Sequence, residues 1–128
     1  MINGKPRILC VDDEPLNLDL YTATLEPRGF EVIRAESGEA ALEKIKHESI
    51  DLVLLDVMMP KTDGFEVCRK IKIDPATAHI PVVMITALND NDSLVKGLMA
   101  GAINFISKPI KGVDLALRIK YFLGIPLW

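Results

Sequence analysis

Two residue periods alternate along the whole chain, and that alternation limits the folds open to it. Short apolar or β-branched runs stand at Ile8–Val11, Glu31–Ala35, Leu52–Leu55, Pro81–Ile85 and Asn104–Ser107. Three of them, ILCV, LVLL and VVMI, are apolar at nearly every position, as central parallel strands covered on both faces must be. Glu31–Ala35 mixes Glu and Arg with Val and Ile, which predicts an edge strand. Between these runs lie segments of helical length. Pro15–Glu26 opens on a proline suited to the first helical position and places Leu16, Leu20 and Ala23 on one face. Ser37–His47 has Ser37 as its N-cap and Ala41, Leu42 and Ile45 as its stripe. Asp63–Lys72 carries Val67, Cys68 and Ile71. Asp92–Ala100 carries Leu94, Val95 and Leu98, and stops at Gly101, which suits a left-handed cap. Gly112–Leu123 carries Leu115, Ile119 and Phe122, and is stopped by Gly124 and Pro126.

Five strands alternating with five helices through short loops predict an α/β fold, a (βα)₅ doubly wound, flavodoxin-like parallel sheet. Its strand order, 2-1-3-4-5, is adopted as one of the two common solutions for such sheets. The 128 residues suit a single domain over 1–128, with a core from about 7 to 123 and 124–128 as a tail or the start of a linker. A chain that is 49% apolar and 26% charged has the balance of a folded globular protein. The net charge of −3 gives no footprint for direct nucleic-acid binding. Nothing in the sequence resembles a membrane span or a signal peptide, so a cytoplasmic location is expected. Cys10 and Cys68 lack a CxxC spacing and read as buried small hydrophobes in a reducing compartment. His47 and His79 are isolated on polar stretches and read as surface residues.

In an open parallel sheet, ligands sit beyond the carboxyl ends of the strands. The first strand delivers Asp12, Asp13 and Glu14 there, the third Asp56, the fourth Thr86 and the fifth Lys108. Clustered aspartates repel, and a hard dication such as Mg²⁺ removes that cost. Helix capping accounts for one of Asp12 and Asp13, less well for both, and not for Asp56. Asp56 follows four apolar residues, a costly place for a charge outside a functional crevice. Such a rim could serve an external substrate, or a carboxylate could itself become the nucleophile and form an acyl phosphate. Phosphoryl transfer needs mainly positioning and charge neutralisation, which a metal, a lysine and a hydroxyl provide. There is no GxxxxGKS/T and no GxGxxG after the first strand, which argues against a bound nucleotide.

VDDEP at 11–15, LLDVMMPxxDG at 54–64, ITAL at 85–88 and SKPI at 107–110 together resemble the receiver domains of bacterial response regulators. The resemblance runs from about Arg7 to Phe122, and DGFEVCRKIK and HIPVVMITAL are most similar to receivers that precede diguanylate cyclases or other signalling outputs. It implies a phosphoacceptor switch of two-component signalling, with a histidine kinase or phosphotransfer protein as donor, and not an enzyme acting on external substrates. Asp56 would become the aspartyl phosphate. Asp13 would bind Mg²⁺ directly and Asp12 mostly through water. Asp56 and the Met58 carbonyl would complete the ligands, with Mn²⁺ able to substitute. Lys108 would pair with one phosphoryl oxygen and Thr86 would donate to another, with the small Ala87 leaving room. Pro60 and Gly64 would shape the loop after Asp56, the glycine taking a conformation that a Cβ would strain. Lys108–Pro109 would be cis, although only about 5% of such bonds are cis in folded proteins. Phe105 matches an aromatic switch position, and core packing is an equally good reading of it.

Met58 and Leu88, at positions that tune hydrolysis in the family, are bulky and apolar and imply a long-lived phosphoryl group. Output is expected through Asp92–Ala100, Asn104–Ser107 and Gly112–Leu123, as a phosphorylation-dependent homodimer or by effector docking. Leu127 and Trp128 would pack back on this face or begin a linker. Two alternatives compete. A pseudo-receiver would keep the fold without phosphorylation, yet all its acids and its lysine are present. A haloacid-dehalogenase-like phosphatase would need a DxD motif and a cap insertion, and has neither.

Overall fold

The computed structural model describes residues 4–59, 62–86 and 91–126. In chain order its elements are β1 (Arg7–Val11), α1 (Pro15–Leu25), β2 (Glu31–Ala35), α2 (Gly38–His47), β3 (Leu52–Asp56), β4 (Met58–Met59), β5 (Thr62–Asp63), α3 (Gly64–Ile73), β6 (Val82–Thr86), α4 (Asn91–Ala100), β7 (Asn104–Ser107) and α5 (Gly112–Leu123). A short 3₁₀ turn over Glu26–Arg28 follows α1. The main sheet is wholly parallel and runs β2-β1-β3-β6-β7. That is the expected 2-1-3-4-5 order, because β4 and β5 form a separate two-residue antiparallel ladder.

The sheet divides the core in two. On one side Leu9, Val11, Val53, Leu55 and Met84 pack under α2, α3 and α4. On the other, Ile8, Cys10, Leu54, Val83 and Ile85 pack under α1 and α5. Every residue of β3 and β6 is buried, which explains their unbroken apolar runs. The more polar β2 is indeed an edge. Ser37 caps α2 by accepting a hydrogen bond from the Ala40 N–H. Gly101 and Gly124 close α4 and α5 at positive φ, +102° and +68°. Both cysteines are buried and unbridged, both histidines are exposed, and Lys108–Pro109 is cis.

Two helix faces differ from the sequence reading. In α1 the predicted stripe of Leu16, Leu20 and Ala23 faces solvent, and Leu18, Tyr21 and Leu25 are buried instead. Both sets satisfy the helical period, since α1 is apolar on both sides, and only the tertiary packing decides between them. In α4, Leu94, Val95 and Leu98 are exposed by 42%, 51% and 54%, and among its described side chains Gly97 and Ala100 are the buried ones. At Gly97 the space beneath α4 is filled by the Phe105 ring of β7. A Cβ on Gly97 would lie 2.0 Å from Cζ of Phe105.

Candidate functional site

Asp12, Asp56, Thr86 and Lys108 arrive at the same end of the sheet because their strands end there, whereas Phe105 lies within β7. Asp12 follows the last residue of β1 and donates its backbone N–H to Ala35 O (3.1 Å), which holds it beside the end of β2. Asp56 is the last residue of β3 and lies opposite Ile85 of β6. Thr86 ends β6 opposite Ser107, the last residue of β7. Lys108 comes next, and its N–H donates to Thr86 O at 3.0 Å. Asp12, Asp56 and Thr86 are buried, with 0%, 2% and 3% exposure, and Asp13 is half-buried.

Asp12, Asp13 and Asp56 each place a carboxylate oxygen within 4.8 Å of the others. The Lys108 ammonium lies 3.4 Å from Asp56 Oδ2 and brings positive charge to the cluster. Three hard oxygen donors this close, two of them buried, suit Mg²⁺ by charge and by ligand type. Mutual repulsion at this spacing amounts to several kcal/mol at an effective dielectric constant of about 20. Lys108 offsets part of it, and a bound dication would offset the rest.

Phe105 is half-buried and packs against the core beneath α4, its ring lying over Gly97. Its carbonyl accepts from Arg118 of α5 at 3.3 Å. Gly64 is also needed, for a reason other than the expected one. Its φ is not positive, but a Cβ there would sit 2.9 Å from Asp56 O and 3.0 Å from Val57 Cα. The requirement is space behind the acceptor loop rather than an unusual backbone angle. Asp63 caps α3 through its carboxylate, which accepts from the Phe65 N–H at 2.9 Å. Met58 lies two residues after Asp56 and pairs with Asp63 in the β4–β5 ladder. Pro60, Ala87, Leu88, Leu127 and Trp128, and the side chain of Met58, lie outside the described residues.

Sequence reasoning missed two residues beneath the rim. Asp12 Oδ2 accepts hydrogen bonds from Asn17 Nδ2 (3.1 Å) and from the Tyr21 hydroxyl (3.3 Å), while Oδ1 accepts from the Glu14 N–H (3.0 Å). Burial, then the charges of Asp12 and Asp56, push the Tyr21 phenol well above its ordinary value, so it keeps the proton that it donates. The spacing that would have found Tyr21 is the other face of α1.

A family model for the response regulator receiver domain matches residues 8–120. The chain belongs to this family. The response regulator PleD of Caulobacter vibrioides is 48% identical over 114 residues, covering 89% of this chain and 25% of PleD. The phosphate regulon transcriptional regulatory protein PhoB of Pseudomonas aeruginosa is 39% identical over 116 residues, covering 91% of this chain and 51% of PhoB. A CheY-like receiver domain protein of Methanospirillum hungatei superposes with a TM-score of 0.86 at 34% identity, covering 94% of this chain and 95% of that one. The receiver therefore spans about a quarter of PleD and half of PhoB. It is a signalling switch of two-component phosphorelays, and receivers of response regulators interact with histidine kinases and bind Mg²⁺ at an acidic site of this kind. Among the described residues, no helix is long and apolar enough to cross a membrane.

Proposed function

We propose that Asp56 is the phosphoryl acceptor of this receiver, charged by a histidine kinase or a phosphotransfer protein. One observation carries the reading: a carboxylate with 2% exposure, at the end of a fully buried strand, meets two further carboxylates within 4.8 Å and a lysine at 3.4 Å. Stability alone gives no reason to build such a cluster. In the reaction an Asp56 oxygen attacks phosphorus. A P–O bond forms as the P–N bond to the donor imidazole breaks, and the imidazole leaves with the electron pair and takes a proton from solvent. Lys108 pairs with one oxygen of the transferring group and Thr86 donates its hydroxyl to another. Asp12, Asp13, Asp56 and the Met58 carbonyl would hold Mg²⁺, which supplies neutralisation of the negative charge that gathers at the transferring oxygens. The chain's own chemistry then extends to hydrolysis of its aspartyl phosphate and to no external substrate. Incubation with Mg²⁺ and acetyl phosphate should add one phosphoryl group by intact-mass spectrometry, and none to Asp56→Asn. Full labelling of that variant would sink the assignment, and no labelling of the wild type would favour a pseudo-receiver.

The readout surface is the face of α4, β7 and α5. Leu94, Val95 and Leu98 of α4 and Val113, Leu117 and Tyr121 of α5 are exposed there, an apolar density that points to a protein partner rather than to nucleic acid or membrane. Thr86 moving toward the phosphoryl group would open space for the Phe105 ring and so rearrange this face between two states. Sedimentation with and without beryllofluoride, a mimic of phosphorylated Asp56, should show a monomer becoming a dimer. A monomer under both conditions would leave effector docking as the output.

A further inference from the structure

The contacts of Asp12 bear on which cation the site accepts. A carboxylate has about four acceptor directions, two on each oxygen. In this receiver Asp12 is fully buried, Oδ2 has both directions filled by Asn17 and Tyr21, and Oδ1 has one filled by the Glu14 N–H. One direction remains, on Oδ1. We infer that Asn17 and Tyr21 act as positioning residues that bar Asp12 from gripping a metal through both oxygens, and so make the acidic site discriminate against Ca²⁺ in favour of Mg²⁺. The inference rests on reading Asp12, Asp13 and Asp56 as a divalent-metal site. Its physical basis is the difference between the two ions. Ca²⁺ takes six to eight oxygens and commonly uses both oxygens of a carboxylate, whereas Mg²⁺ takes six in strict octahedral geometry and keeps several waters. A carboxylate reduced to one free direction still serves Mg²⁺, directly or through a water, but cannot chelate the larger ion.

The Tyr21 ring is 2% exposed and anchored in the core under α1, so its hydroxyl cannot swing away without repacking. Asn17 sits one turn earlier on the same helix, at the edge of the site. The donors are thus fixed by α1 rather than by solvent, and the restriction is built into the fold.

Calorimetric titration of the chain with Mg²⁺ alone and with Ca²⁺ alone tests the idea in wild type, Tyr21→Phe and Asn17→Ala. Either substitution frees one direction on Oδ2. The ratio of the Ca²⁺ to the Mg²⁺ dissociation constant should fall by about three- to tenfold in each, the change that one ordinary hydrogen bond carries. A role in stability alone would weaken both ions together and leave the ratio where it was. An unchanged ratio in either variant that remains folded by circular dichroism overturns the inference. Asn17→Ala alters only a half-buried side chain, so it decides the matter even if Tyr21→Phe unfolds. Wild type that binds neither ion would overturn the metal-site reading and the inference with it, whereas wild type that binds Mg²⁺ beside unchanged ratios overturns the inference alone.

Discussion

Asp13 differs from its two partners in being half-buried, while Asp12 and Asp56 are shut off from solvent. It also lacks the set of donors that hold Asp12. Its charge therefore adds repulsion to the empty cluster, with solvent screening part of it. Replacing Asp13 by Asn keeps the shape and removes the charge. In metal-free buffer this should stabilise the fold by about 1 kcal/mol, a rise in melting temperature of about 3–5 °C for a domain of this size. Millimolar Mg²⁺ should raise the melting temperature of wild type, since a ligand that prefers the folded state adds stability, and should raise that of Asp13→Asn much less. Differential scanning fluorimetry with and without Mg²⁺ reads both effects. A wild type indifferent to Mg²⁺ would show that the three carboxylates do not form a metal site.

At the scale of elements, α4 and β7 meet where Phe105 lies over Gly97. A glycine inside a helix costs about 1 kcal/mol relative to alanine, so Gly97→Ala would stabilise α4 if the helix stood alone. Here the added Cβ would lie 2.0 Å from Cζ of Phe105, and the ring must move. We expect Gly97→Ala to destabilise the receiver by about 1–3 kcal/mol, and to be neutral or stabilising in a Phe105→Ala background. Urea denaturation of both single variants and the double variant measures that coupling, and additive effects would mean the ring is not seated on Gly97. The same contact shows where the sequence could be read and where it could not. The strands were legible because a buried parallel strand is apolar at every position, and the acidic and basic site residues were legible because each stands where such a run stops. The buried faces of α1 and α4 were not. In α1, Leu16–Leu20 and Leu18–Tyr21–Leu25 are equally good helical spacings. In α4 the large apolar residues Leu94, Val95, Leu98 and Met99 are exposed, and the Phe105 ring of β7 leaves no room for a side chain at the buried Gly97. Tyr21 was lost with the face that carries it, and the β4–β5 ladder is too short to leave a period.

The molecule as a whole buries three weak acids that no acidic-site chemistry uses as acids. Burial pushes the Cys68 thiol up to about 11 from an ordinary 9.0, against smaller opposing effects of Lys72 and Arg69. Burial likewise pushes up the Cys10 thiol, and the Tyr21 phenol with help from the Asp12 and Asp56 charges. All three act on stability with the same sign. When the folded value lies above the unfolded one, the unfolded chain releases its proton first as pH rises. The stabilisation is fully present below pH 9 and is lost as pH climbs through the window from about 9 to 11 for Cys68, and beyond it for the other two. Urea midpoints should therefore fall between pH 8 and pH 10.5, Cys68 alone accounting for about 1–2 kcal/mol of the loss. The thiol also lies 3.4 Å from the Ala100 carbonyl as a weak donor, so Cys68→Ala will lower stability at both pH values. What identifies its titration is the slope: Cys68→Ala should lose less between pH 8 and pH 10.5 than wild type does. Equal losses in the two proteins would place the alkaline sensitivity elsewhere, in Cys10 or Tyr21, and would mean that the thiol between α3 and α4 releases its proton over the same pH range in the folded and the unfolded chain.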